Sequence, residues 1–394
     1  MEGLLRDPDK LRSVNRALMA GNFAIGCGVM VVAGSLNDLV HSLRVSVPIG
    51  GQLVSVAALS MALGAPLLAA AFGRWDRRRL LTLALAWYAL GHAICALMPG
   101  YAALLPVRTL TVLGAAVFTP QAAAAMQVLA PAAQRGQAIT FIFLGWSLSS
   151  VIGMPLHSFI GETWGWRWAF VLVAVLSAVA AVWVWRVLPT GVHTAPLSLR
   201  SWGRVLSSPL LMSLVLLTVC NAAGQFTLFS YFAPYYRQVL GTGAEGVSLL
   251  FLWFGAVALL GNLLLTRHIE RWGSAHSVSV SLALMALSML LWPLATSVAS
   301  MVLVLMPWAL GCFSGNSAQQ ARISVAAPSL AGGMLALNTS AIYLGQALGA
   351  AGGGALLAHS GFAPLPWAAL AWMLLALLLS LGLAHKMQGR PVHD

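Results

Sequence analysis

Gly73-Arg74-Trp75-Asp76-Arg77-Arg78-Arg79 packs four arginines into seven residues between two long apolar runs. A paler copy stands at Glu270-Arg271-Trp272-Gly273-Ser274-Ala275-His276. The two Arg-Trp pairs lie 197 residues apart, half of the 394-residue chain. A repeat at half the chain length marks the duplication of one unit. In a membrane chain each copy is a short hinge between the second and third span of its half. The copies also trade residue types, since Gly73 and Asp76 stand opposite Glu270 and Gly273.

Hydrophobic residues make up 60% of the chain and charged residues 8%. A water-soluble globule with that ratio could not cover its surface, so the chain is read as membrane-embedded. At roughly 20 residues per crossing plus short loops, this length holds about a dozen spans. They are expected at about 15–36, 47–72, 80–98, 101–129, 138–160, 167–188, 209–233, 247–266, 277–296, 300–320, 333–358 and 367–386. The first run is longer than a signal-peptide core and stays as span 1. The longest polar connection, 189–208, divides the chain into a bundle at 1–188 and a second at 209–394. The expected fold is all-α, twelve transmembrane helices in two six-helix bundles.

A net charge of +12 would point to nucleic acid in a soluble protein, but these arginines fall between apolar runs and orient the chain. With the N-terminus inside, 17 of the 21 basic residues lie on the inner side. Arg44, Arg167 and Arg237 lie outside, and Arg108 falls within span 4 as the one strong charge inside a span. Both termini are therefore expected in the cytoplasm, in a bacterial inner membrane, and the chain as a monomer. The four cysteines sit inside apolar runs without metal-ligand spacing and read as small buried hydrophobes. No cofactor is expected. Gly241-Thr242-Gly243-Ala244-Glu245-Gly246 matches a dinucleotide fingerprint as a string, but it follows a membrane helix and reads as a loop.

Several residues carry candidate chemistry. Arg77, Arg78, Glu270 and Arg271 in the two hinges are either topology anchors or a latch that holds helix ends closed on the inner face. Arg108 lies roughly 10 Å into span 4 at 1.5 Å per residue. An arginine at that depth faces a cavity or a partner, or snorkels to the headgroups. Asp38 is the nearest acid by depth, and the Asp38–Arg108 pair is the candidate for proton coupling. Gly145, Ser149, Gly153 and His157 repeat at spacings of four on one helix face. With Pro155 these glycines, like Gly353 in span 11, read as close helix packing, and His157 as a second proton-coupling candidate because it titrates near neutrality. Asn22, Phe23, Gln52, Gln121, Trp146, Asn221, Gln225, Phe226, Asn338, Tyr343 and Gln346 form a candidate pocket. Each buried amide must pair, with another helix or with a ligand.

These residues resemble the major facilitator superfamily, in particular its drug/proton-antiporter branch of arabinose-efflux and purine-efflux type permeases. The resemblance runs from Gly64-Ala65-Pro66 and Arg77-Arg78-Arg79-Leu80-Leu81 through Arg108 to Pro120-Gln121 and Arg135-Gly136-Gln137-Ala138. It continues through Gly145, Gly153, Pro155 and Gly165-Trp166-Arg167, then Gly261-Asn262 and Gly345, Gly349, Gly353 and Gly354. The family's hinge motif usually carries its acid where Gly73 stands and a glycine where Asp76 stands. Many relatives place a glutamate where span 1 here has Val29. The resemblance implies secondary transport, with proton-coupled efflux of a drug or metabolite and protons and a small molecule as partners. The alternative is an importer or facilitator of a sugar, nucleoside or similar metabolite. A non-transporting receptor has no need of the repeated hinge, and an enzyme lacks its cluster of nucleophile, base or metal ligands.

Overall fold

A segment that crosses a bilayer must satisfy its backbone within itself, so the apolar runs fold as helices. The computed structural model describes residues 8–131, 134–193, 199–327 and 330–388. Among them, twelve helices are long and apolar enough to cross a membrane. Spans 1 to 6 are Asp9–Gly34, Val47–Ala71, Arg77–Leu97, Tyr101–Leu129, Ala138–Trp164 and Trp166–Val187. Spans 7 to 12 are Pro209–Gln238, Ala244–Ile269, Ser274–Leu294, Val298–Ala326, Met334–Ser360 and Leu365–His385. A short helix, Leu36–Leu43, prolongs span 1. An even number of crossings leaves the start of span 1 and the end of span 12 on one face of the bundle, the terminal face. The opposite side is the far face.

The packing repeats with an offset of six. Span 1 packs on spans 5 and 6, span 3 on spans 4 and 6, and span 2 on span 4. Span 7 packs on spans 11 and 12, span 9 on spans 10 and 12, and span 8 on span 10. Adding six to each number of the first set gives the second, so the two six-helix bundles share one plan. Between them, span 2 packs on span 11 and span 5 on span 8. Those two contacts also exchange under the same operation, as a two-fold axis along the membrane normal requires.

Local chemistry sets the ends and breaks. Asp76 caps span 3 by accepting the Arg79 N–H at 3.2 Å, and Ser297 with Ser300 forms a capping box at the start of span 10. In span 5 a π-helical turn, Ser149–Gly153, precedes Pro155. Proline supplies no N–H to the carbonyl four residues back, and the widened turn absorbs that defect.

Span 10 runs farther than hydropathy allows. The expected end near 320 becomes Ala326, because polar residues of its last turns face helices and not lipid. Arg322 is buried there and donates to the Ser380 hydroxyl at 2.9 Å and to the Ser380 carbonyl at 3.1 Å. Arg108 is therefore not the one arginine inside a span.

Candidate functional site

Arg108 is 2% exposed in the heart of the first bundle. Its Nη2 donates to the Gly28 carbonyl at 2.7 Å and to the Val29 carbonyl at 3.4 Å. Its Nη1 meets His92 Nε2 at 2.9 Å. The guanidinium thus ties span 4 to spans 1 and 3, and Phe170 of span 6 lies 5.9 Å from it. Span 1 can serve this cation without an acid because backbone carbonyls have a second lone pair.

The expected Asp38–Arg108 pair is absent. Asp38 accepts the Trp166 N–H at 2.7 Å, the first N–H of span 6. A helix N-terminus presents unpaired N–H groups and partial positive charge, so it holds a carboxylate that depth alone would assign to the arginine. His157 is fully buried beside the Cys27 backbone of span 1, and neither ring nitrogen makes a hydrogen bond of good geometry.

The candidate pocket residues divide into three groups. Asn22 is spent on packing: it donates to the Ile142 carbonyl at 3.2 Å and accepts from Thr119 at 2.8 Å. Asn338 is spent likewise, accepting from Thr218 at 2.7 Å, while Gln319 donates to the Leu214 carbonyl at 3.0 Å. These two staples join spans 1, 4 and 5 in one bundle and spans 7, 10 and 11 in the other. Gln52 lies elsewhere, on an exposed surface where its amide oxygen accepts from Tyr101 at 2.9 Å. The rest remain available. Phe23, Gln121, Trp146, Gln225 and Phe226 are half-buried, and Asn221 accepts from Gln225 at 3.1 Å. Tyr343 and Gln346 of span 11 are buried, and Tyr343 lies within electrostatic reach of Tyr88 in the other bundle.

The bundles meet through polar contacts toward the far face. Asn37 donates to the Glu162 carboxylate at 2.8 Å and, across the interface, to the Ala233 carbonyl at 3.1 Å. Glu162 in turn faces Arg237 of the second bundle at 3.7 Å. Deeper in, Ser248 donates to the Pro155 carbonyl at 3.3 Å. A Cβ at Gly255 would stand 2.6 Å from Val151 Cα, so spans 5 and 8 touch backbone to backbone. Gly145 and Gly153 lie against span 1, at Met19 and Cys27, and Gly353 against Thr227 of span 7. Sequence reading missed Asn37, Glu162 and Arg237. The signal available was opposite charge confined to one set of loops.

The Major Facilitator Superfamily profile matches residues 18–350. The chain belongs to that superfamily. Among proteins it resembles, the inner membrane transport protein YdhP of Escherichia coli is 29% identical, over 94% of this chain and 95% of that one. The MFS-type transporter YbcL of Bacillus subtilis is 25% identical, over 95% and 96%. In fold the chain is similar to a D-xylose-proton symporter, with TM-score 0.75 at 18% identity over 96% and 99% of the two chains. A bacterial homologue of the lysosomal transporter Spinster, in an inward-facing conformation, gives TM-score 0.74 at 17% identity, over 98% and 100%. The chain is thus a multi-pass membrane transporter of the major facilitator fold.

On the terminal face the superfamily hinge takes an altered form. Arg77 is buried and donates to the Gly73 carbonyl at 2.8 Å, closing the end of span 2. Arg78 stacks 4.3 Å over Trp185. Both arginines are engaged within the first bundle. Asp76, in the place where the family usually has glycine, accepts the Gly191 N–H at 2.6 Å. Beside it the Arg77 N–H bonds the Val192 carbonyl at 2.9 Å. The displaced acid thus straps the start of the linker to the hinge. Arg271 is exposed, and the Glu270 side chain lies outside the described residues.

Proposed function

We propose that this protein is a secondary active exporter of a small, uncharged or weakly charged molecule, driven by proton entry, in a bacterial inner membrane with both termini in the cytoplasm. The observation that carries the reading is the closure between the bundles toward the far face. Among the described residues, the hydrogen bonds and the ion pair that join them run from Ser248–Pro155 out to Glu162–Arg237, toward the far face. Two bundles of one plan, closed at one end, suit rocking about a central site. The closed end is then the outer one, given the basic residues of the terminal face.

Gln121, Trp146, Asn221, Gln225, Phe226, Tyr343 and Gln346 are the proposed binding residues, with Phe23 as an apolar neighbour. Amides and aromatics in that mixture favour a solute with a ring or apolar body and a few hydrogen-bonding groups. Arg108 is the proposed cation of coupling, and the buried histidines of the first bundle, His157 among them, are its proposed titratable partners.

The test begins with a thermal-shift screen of the purified protein, since a ligand of the folded state raises its melting temperature. The hit is then followed in proteoliposomes under an imposed pH gradient. Uphill movement against the proton gradient is expected. Downhill equilibration that ignores the gradient would make the protein a facilitator and sink the coupled reading.

A further inference from the structure

Two bonds fix the protonation of His92. Its Nδ1 lies 2.8 Å from the Tyr88 carbonyl, which only accepts, so Nδ1 carries a hydrogen. Its Nε2 lies 2.9 Å from Arg108 Nη1, which only donates, so Nε2 presents a bare lone pair. The ring is therefore neutral, and its one free lone pair is occupied by a cation. A proton arriving at Nε2 would displace that bond and set imidazolium against guanidinium.

We propose that His92 Nε2 is the proton-binding site of the transport cycle, and that Arg108 and the proton occupy it alternately. The proposal rests on the proton-coupled reading above. When Arg108 withdraws, Nε2 takes a proton from water admitted at the far face. The Nδ1–H stays on Tyr88, and the new N–H faces the Gly28 carbonyl, which lies beside His92 and now holds Arg108 Nη2. Both ring hydrogens then have acceptors. The imidazolium replaces the lost guanidinium charge, so the pocket carries one positive charge in either state. When Arg108 returns, in the state open at the terminal face, the proton passes from Nε2 to water on that side and the original bonds re-form.

The surroundings suit such an exchange. His92 is fully buried about 8 Å from the far end of span 3. Around it stand Arg108 of span 4, His157 of span 5, and Tyr88 and Cys95 of its own helix, with Cys27 of span 1 beside Tyr88. Span 6 contributes the Phe170 ring, 5.7 Å away. Among the described residues no acid forms an ion pair there. Span 1 carries the carbonyls that hold Arg108, and just past its end Asn37 bonds the other bundle. Opening the far face and loosening Arg108 therefore act on one helix.

The experiment follows labelled histidine nitrogens in the full-length protein in lipid nanodiscs, with His92→Gln assigning the His92 signals. Wild type is expected to show the Nδ1–H tautomer, without protonation of Nε2, from about pH 8 down to about pH 5. Arg108→Met and Arg108→Gln are expected to bring a doubly protonated His92 into that range. A wild-type His92 with its hydrogen on Nε2, or one that stays neutral in both Arg108 variants, overturns the proposal. Flux in proteoliposomes gives a second measurement should those variants misfold. The amide of His92→Gln can accept from Arg108 but takes no proton, so its flux should lose the response to a pH gradient. A full response in that variant beside a responsive wild type overturns this assignment alone. An unresponsive wild type overturns the proton-coupled reading itself.

Discussion

Asp76 and Gly191 are joined at 2.6 Å, carboxylate to backbone N–H, which ties the linker between the bundles to the hinge of the first. The other carboxylate oxygen caps span 3 at the Arg79 N–H. Gly191 meets it with a positive φ of 77°, a conformation that glycine adopts without strain. One acid thus serves two backbones, and its removal should act on both. Asp76→Ala is expected to cost about 1 kcal/mol through the lost cap alone, with Asp76→Asn costing less. Thermal melting checks the cost. Protease cleavage within 189–208 should be faster in Asp76→Ala, and an unchanged cleavage rate would show that the strap does not hold the linker.

Gly255 offers a way to prop the bundles apart. Its neighbours are the Ser150 and Val151 backbone, which cannot swing aside as a side chain could. Gly255→Leu should destabilise the closed arrangement by about 1–3 kcal/mol. That is roughly a five- to 150-fold shift toward the state open at the far face. A single cysteine at buried Ser150, in a background freed of the four native cysteines, should then label faster from the far side. Gly352→Ala is the control, since a Cβ there meets nothing within 4 Å. Equal labelling in both variants would remove spans 5 and 8 from the gate.

Sidedness has its own measurement. A reporter active only outside the cytoplasm should be active when fused near Gly243 and silent near Gly191 or at Asp394. The reverse pattern would invert the assignment of faces and with it the direction of export.

What could be read in the chain before folding follows from which quantities are one-dimensional. Hydropathy and chain order place the spans, so twelve crossings were legible, as was the hinge repeated at half the length. Depth is also linear in the chain, and it put Arg108 in the far-face half of span 4 and Asp38 just past the far end of span 1. Rotation about the helix axis is not linear, and the misses are of that kind. Asp38 turns to the N-terminus of span 6, Arg108 to His92, and Gln52 to an exposed surface. Arg322 escaped for the converse reason: a buried arginine beside Gln319 and Gln320 looks, in hydropathy alone, like the start of a loop.

The same distinction separates staples from ligand-binding amides. Asn22 exchanges hydrogen bonds with Ile142 and Thr119 inside the first bundle, so Asn22→Ala leaves the Thr119 hydroxyl and a carbonyl short of a buried partner. The expected loss is about 1–3 kcal/mol of stability, more than the ~0.6 kcal/mol of an average interhelical bond, because the orphaned groups cannot reach water. Gln346 is buried and holds up no hydrogen-bonded staple among the described residues. Gln346→Ala should therefore leave melting nearly unchanged and weaken the thermal shift given by the screened ligand. Asn22→Ala should do the opposite, lowering the melting temperature while keeping the size of the ligand-induced shift. If both variants lose the shift equally at equal stability, Asn22 belongs to the binding site and its bonds to Thr119 and Ile142 must open when the solute enters.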